Sequence, residues 1–174
     1  MTDNNAAPNA GGNEQNQKQH FEIQKIYLKD VSLETPSSPA VFAEQQWRPE
    51  VNLQLNHRVN TLAEDRYEVV LTLTVTAKQG DKTVYLVEVQ QAGLFVINGF
   101  PQQHLGAMLG AFCPNILFPY GREVISSLIQ KGGFPSLMLQ PVNFDALYLQ
   151  QLQARKQAQQ NQQESAPNPP SGNA

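Results

Sequence analysis

Two strand-type segments joined by a glycine-containing break constrain this chain more than any other feature. Tyr67-Glu68-Val69-Val70-Leu71-Thr72-Leu73-Thr74-Val75-Thr76-Ala77 is rich in β-branched residues, and Thr83 to Gln91 repeats that character after Gln79-Gly80-Asp81. Such a break between two such runs is a hairpin signal. Upstream, Phe21 to Glu34 alternates at first and then carries apolar residues on both parities. Phe21, Ile23, Tyr27, Val31 and Leu33 share one parity, while Ile26, Leu28, Asp30, Ser32 and Glu34 share the other. Thr35 to Pro39 breaks that strand and leads into a loop with Val41, Phe42 and Trp47. After Pro49 a further strand places Val51, Leu53 and Leu55 inward and Glu50, Asn52 and Gln54 outward. The reading is four strands, mostly antiparallel.

The period then changes. Gln102 to Phe112 has helix potential, interrupted by Pro114 and Pro119. Val124, Ile125, Leu128 and Ile129 fall on one helical face, and Gly132-Gly133 is a stop signal because glycine adopts positive φ without a steric penalty. Asn143 reads as an N-cap, with Asp145 in the first turn where it complements the helix dipole. The helix that follows, Phe144 to about Gln157, carries Phe144, Leu147, Tyr148 and Leu152 on its apolar side. The expected fold is α+β, a four-stranded antiparallel sheet with two helices packed on one face. The other face would then be open, with Ile26, Leu28, Val70, Val84 and Leu86 among Thr72, Thr74, Glu88 and Asp30. An open face that is partly apolar predicts self-association and partner docking.

Both ends of the chain are polar. Residues 1–19 hold no aromatic or β-branched apolar residue, and residues 154–174 are Gln-rich and then Pro/Ser/Asn/Gly-rich. Neither stretch buries enough apolar surface to offset its ordering entropy, so both are expected to be disordered around one domain at 20–153. The N-terminus lacks the pattern of a signal peptide, and no apolar run approaches the ~18–20 residues of a membrane helix. A cytoplasmic protein with no membrane insertion is expected.

Composition narrows the function. With 12 Lys+Arg against 15 Asp+Glu, the net charge of -3 argues against nucleic acid as a partner. One Cys and 3 His argue against a disulfide framework and a zinc site. Cys113 sits in an apolar setting that raises a thiol pKa, so it reads as structural. His20, His57 and His104 lack metal-ligand spacing, Gly106 and Gly110 read as close helix packing, and Glu64-Asp65 reads as a turn. No phosphate loop, nucleophile elbow or HExxH occurs, so neither catalysis nor a cofactor is expected. Loops instead hold apolar and aromatic residues: Trp47, then Phe112, Ile116, Leu117, Phe118 and Tyr120, then Phe134, Phe144 and Tyr148. Ordinary core closure and a groove for extended apolar peptide both account for them.

At these residues the chain resembles the SecB family of bacterial protein-export chaperones. The resemblance rests on 113–123, CPNILFPYGRE, and on four further stretches in order: Tyr27 to Glu34, Trp47-Arg48-Pro49-Glu50-Val51, Glu88-Val89-Gln90-Gln91 and Pro141 to Leu147. It implies a homotetramer, a dimer of dimers, that holds unfolded secretory preproteins without ATP and passes them to the SecA motor. By residue, it implies that Asp30, Glu34, Leu86 and Glu88 dock the C-terminal zinc-binding segment of SecA. It links Val87, Val89 and Gln91 to the oligomer interface. Trp47, Tyr120, Phe144 and Tyr148 are candidates for an aromatic client subsite, with Val51, Leu53, Leu55 and Ile125 for a shallower apolar one. Ala92 departs from the pattern, which usually has glycine there, and the C-terminal tail is Gln-rich rather than acidic. Two alternatives are a SecB-like chaperone of a toxin–antitoxin system and, in another class, a small-ligand-binding α+β protein using the aromatic cleft.

Overall fold

The computed structural model of the chain describes residues 18–44 and 46–164, with side chains as far as residue 160. Residues 1–17 and 165–174 of the two expected tails lie outside that range. Four strands form one sheet: β1 His20–Glu34, β2 Glu50–Ala63, β3 Arg66–Gln79 and β4 Lys82–Asn98. Their order is β1-β4-β3-β2 and every pairing is antiparallel. The β3–β4 turn is Gly80-Asp81, with Gly80 at φ 59, as the sequence indicates. The β2–β3 turn is Glu64-Asp65, where Asp65 takes φ 61, a conformation that aspartate tolerates better than most residues. β4 runs past Gln91 to Asn98, well beyond its expected end.

β1 holds the main departure from the sequence reading. Register shifts fall between Ile23 and Lys25 and between Leu28 and Asp30, leaving Gln24 and Lys29 as extra residues. Each bulge reverses the side-chain phase. Ile26 and Leu28 pair with Gly93 and Gln91 and therefore join Phe21, Ile23, Val31 and Leu33 on the helix side. Tyr27, paired with Ala92, turns to the open side with Asp30, Ser32 and Glu34. Strict alternation put Tyr27 with the apolar set and Ile26 and Leu28 on the open face. The two bulges overturn that assignment and explain why apolar residues fell on both parities.

The helical half begins as one rod. α1 Gln102–Ala107 passes through a π-helical turn, Met108–Phe112, into α2 Cys113–Lys131. Pro114 follows the π-helical turn within the rod, and Pro119 is accommodated inside α2. The rod ends as expected: Gly133 takes φ 86 and Phe134 N–H donates to the Ile129 carbonyl at 3.2 Å. α3 Phe144–Glu164 starts where Asn143 Oδ1 accepts from Ala146 N–H at 3.0 Å, the N-cap that the sequence indicates. It continues through 154–164, a stretch assigned to the C-terminal tail.

The rod and α3 cover one face of the sheet. Leu71, Leu73, Val87, Val89 and Phe95 from that face pack with Leu117, Ile125 and Ile129, all 0–1% exposed. Burying each such side chain contributes about 1.5–3 kcal/mol, which makes this layer the main stabilising contact. Gly106 and Gly110 admit Tyr148 of α3: a Cβ on Gly110 would lie 2.5 Å from the Tyr148 ring. That contact is the close helix packing expected of this pair.

Candidate binding surfaces

The first surface is aromatic and is built around Phe134. The glycine stop of α2 aims Phe134 at the crossover loop between β1 and β2. There Trp47 stacks on it at 5.6 Å and 27°, while Phe42 and Tyr85 each lie 5.1 Å away. Tyr85 and Phe134 are buried, yet Trp47 is 37% and Phe42 53% exposed. Gln79, at the end of β3, holds the loop: its Oε1 accepts from Arg48 N–H at 3.2 Å, and its Nε2 donates to the Gln46 carbonyl at 2.9 Å and to Glu44. From this cluster Val51, Leu53 and Leu55 run along β2 on the helix-side face, Val51 exposed and the leucines half-buried. Leu55 reaches Phe144 and Tyr148 of α3, where His57 and Leu71 complete a narrow cleft. Burial, and then Arg155, keep the His57 pKa below its ordinary value, so the imidazole there is neutral near pH 7.

Six of the eight sequence candidates for client binding therefore follow one path, Trp47, Val51, Leu53, Leu55, Phe144 and Tyr148, with Phe144 buried at the floor of the cleft. Two do not. Ile125 is fully buried in the core and offers no surface. Tyr120, 51% exposed, stands on the other flank of α2 over a depression shared with Ile26, Leu28 and Val124. Phe42 and Phe134 belong to the aromatic end without having been assigned to it. Their signal was positional: a phenylalanine after a glycine stop and another in a Pro-punctuated loop.

The second surface is the open face of the sheet. Glu34 pairs with Leu86, Ser32 with Glu88 and Asp30 with Gln90, so Asp30, Glu34, Leu86 and Glu88 share one end of this face. Asp30 and Glu34 are exposed, and Glu88 accepts from Thr74 Oγ1 at 3.3 Å. Arg58 stands in the next row, with Val70, Ala92 and Tyr27, and Lys25 and Arg66 lie further toward the other end, all three exposed. Glu68, in the same row as Lys25 through Leu94 and only 6% exposed, has a carboxylate that accepts from Lys29 Nζ at 2.6 Å, from Asn60 Nδ2 at 2.7 Å and from the Tyr27 hydroxyl. The Lys29 and Tyr27 hydrogen bonds outweigh burial and hold the Glu68 pKa down to about 2. Burial, and then Glu68, push the Tyr27 pKa up to about 12. Ala92 sits in regular strand between Tyr27 and Val70 and is fully buried.

Val87, Val89 and Gln91 lie on the helix side at 0%, 0% and 3% exposure, inside the core of the single chain. Gln91 Nε2 donates to the Tyr27 carbonyl at 2.9 Å, tying β4 to β1 between its two bulges. What reaches the surface beside them is the outer edge of β1, where Ile23, Leu28 and Val31 are 41%, 44% and 38% exposed. Cys113 is fully buried, and burial raises its pKa to about 12, which makes it inert as a nucleophile.

The sequence model of the family described as "Preprotein translocase subunit SecB" matches residues 14–155. The chain belongs to the SecB family. A protein-export protein SecB of Nitrosococcus oceani is 60% identical over 146 residues, 83% of this chain and 89% of that protein. One of Marinobacter nauticus is 55% identical over 148 residues, 85% of this chain and 89% of that protein. Among solved structures, a SecB-like chaperone of Mycobacterium tuberculosis, in complex with a peptide from an antitoxin, superposes with a TM-score of 0.59 at 18% identity. It covers 70% of this chain and 90% of that one, and it supports the SecB fold for the four-stranded sheet and its helices. Among the described residues no helix is long and apolar enough to cross a membrane.

Proposed function

We propose that this SecB-family protein holds unfolded preproteins in the cytoplasm along the Trp47–Tyr148 path and delivers them to SecA through the open face of its sheet. The observation that carries the reading is the separation of two unlike surfaces. Exposed Phe42 and Trp47, packed against Phe134, open onto the apolar line of Val51, Leu53 and Leu55 on the helix side. Large side chains gripped there contribute about 1.5–3 kcal/mol each regardless of sequence, which suits clients that share only exposed apolar segments. Asp30, Glu34 and Glu88 around Leu86 lie on the opposite side, where an acidic rim with an apolar centre favours a basic partner and makes docking salt-sensitive. The zinc-binding C-terminal segment of SecA is that partner.

Binding of unfolded clients, and not folded ones, shifts a preprotein toward its export-competent state by mass action without ATP. Several weak apolar contacts along a wrapped chain then combine through effective concentration. A homotetramer supplies the required length of surface, and the exposed Ile23, Leu28 and Val31 edge, next to the Tyr120 depression, is a surface for a second copy. The test is refolding of a denatured preprotein with the purified protein and no ATP: refolding stalls, and SecA relieves the stall. Unchanged refolding, or a stable monomer by light scattering at micromolar concentration, overturns the reading.

A further inference from the structure

The acidic end of the open face has a cation built into it. Lys29 is the extra residue of the second β1 bulge and directly precedes Asp30. Its ammonium reaches Glu68, and Asp30, in register with Gln90, faces the same side of the sheet. Left free, that ammonium would sit beside Asp30 and cancel part of the charge of a face holding three acids. Glu68 prevents this. Located two strands away on β3 and paired with Leu94 and Asn60, it draws the Lys29 side chain across β4, away from the acidic end. Among the described residues Asp30 has no ion pair, whereas Lys29 and Glu68 lie 2.6 Å apart.

The hub that holds this arrangement is more elaborate than a surface ion pair requires. Glu68 is nearly buried on a face that no helix covers, and the Tyr27 hydroxyl and Asn60 Nδ2 occupy its remaining acceptor sites. Val70 and Ala92, on the same face, are fully buried. The side chains of the face itself therefore close the strip around Glu68, Val70 and Ala92, beside the acidic end.

We infer that Glu68 is a positioning residue for the partner-docking face, sequestering the Lys29 charge so that Asp30, Glu34 and Glu88 present an uncompensated acidic rim to a basic partner segment. This inference rests on the docking role proposed above and adds to it a residue that does not touch the partner. Breaking the pair from either side perturbs the same contact, so a purely structural hub predicts losses of one sign. Charge sequestration predicts a loss from the Glu68 side only.

The test is calorimetric binding of the zinc-loaded C-terminal segment of SecA to the full chain, at low and high salt. Glu68→Gln, which frees Lys29, is expected to weaken binding about threefold to tenfold at low salt, the effect of one unscreened charge close to the site. Lys29→Met is expected to leave binding equal or tighter. The Glu68→Gln/Lys29→Met double variant is expected to return to within about twofold of the parent, because the Lys29 charge that Glu68→Gln would release is gone. High salt is expected to merge all four curves. Losses of the same sign in both single variants, or no recovery in the double variant, overturn the inference while leaving the docking face intact. Glu88→Lys is the control: if it binds like the parent, the docking face itself is wrong and the inference falls with it.

Discussion

Glu34 and Leu86 stand directly opposite each other across the β1–β4 pair, on the face that carries no helix. Glu88 pairs with Ser32 one step further along that face, and Asp30 with Gln90 beyond it. A carboxylate beside a half-buried leucine gives a partner both an anchor and a charge to read. Leu86→Arg or Glu88→Lys is therefore expected to weaken SecA docking by about 1–3 kcal/mol and to leave client binding unchanged. Calorimetry with each ligand on the same variants checks this. Parallel loss of both activities would merge the two surfaces into one.

How much of this was legible in the sequence depends on the element. The β3–β4 hairpin, the Gly133 stop and the Asn143 cap are local, and local chemistry identified each. β1 was not fully legible, because a bulge is a two-strand property. Gln24 and Lys29 look like ordinary strand residues until β4 supplies the register that skips them. Pro119 misled for a related reason: it weakens a helix locally, and the packing of α2 on Leu73 and Gln91 outweighs that loss. At the site, periodicity found the β2 line of Val51, Leu53 and Leu55. It could not separate Tyr120 from Trp47, since which flank of the rod a residue occupies follows from tertiary packing. Gln79 was read as a turn residue, and its clamp on the crossover loop appears only once Arg48 and Gln46 are brought to it.

That clamp leads to a second prediction. Trp47 is the only tryptophan, so its fluorescence reports on the aromatic end alone. Client binding is expected to change its emission, and Trp47→Ala to weaken capture by about 1–3 kcal/mol through lost apolar burial. Gln79→Ala removes three hydrogen bonds that hold the loop. It is expected to lower Trp47 anisotropy and shorten client residence while the oligomer mass stays constant. An anisotropy equal to that of the parent would show that the loop holds without Gln79.

Acid should act through Glu68. Its carboxylate titrates near 2 in the fold and near 4.5 when free, so the folded state binds fewer protons between those values. The pair therefore contributes its full stability above about pH 4.5, and loses it as pH falls toward 2. A difference of this size corresponds to roughly 3 kcal/mol. Denaturant midpoints of the parent are expected to fall over this window, and those of Glu68→Gln to fall less. Parallel curves for the two proteins would place the acid sensitivity elsewhere.

The packing of α3 on the rod gives the last prediction. Tyr148 lies against Gly110, where an added Cβ would come within 2.5 Å of Cδ2 and 2.6 Å of Cε2, and against Gly106, at 2.8 Å from the hydroxyl. An aromatic ring has no flexible end to move aside, so Gly110→Ala must displace either the ring or the helix that carries it. Overpacking of this kind costs about 1–3 kcal/mol. α3 is the element most able to yield, since residues 153–160 are exposed and its contacts are concentrated near Phe144, Leu147 and Tyr148. Hydrogen exchange is expected to accelerate across 144–151 while β3 and β4 stay protected. Adding Tyr148→Ala is expected to restore α3 protection in part, because it removes the clashing ring. Uniform acceleration across the sheet would mean instead that α3 and the core open as one unit.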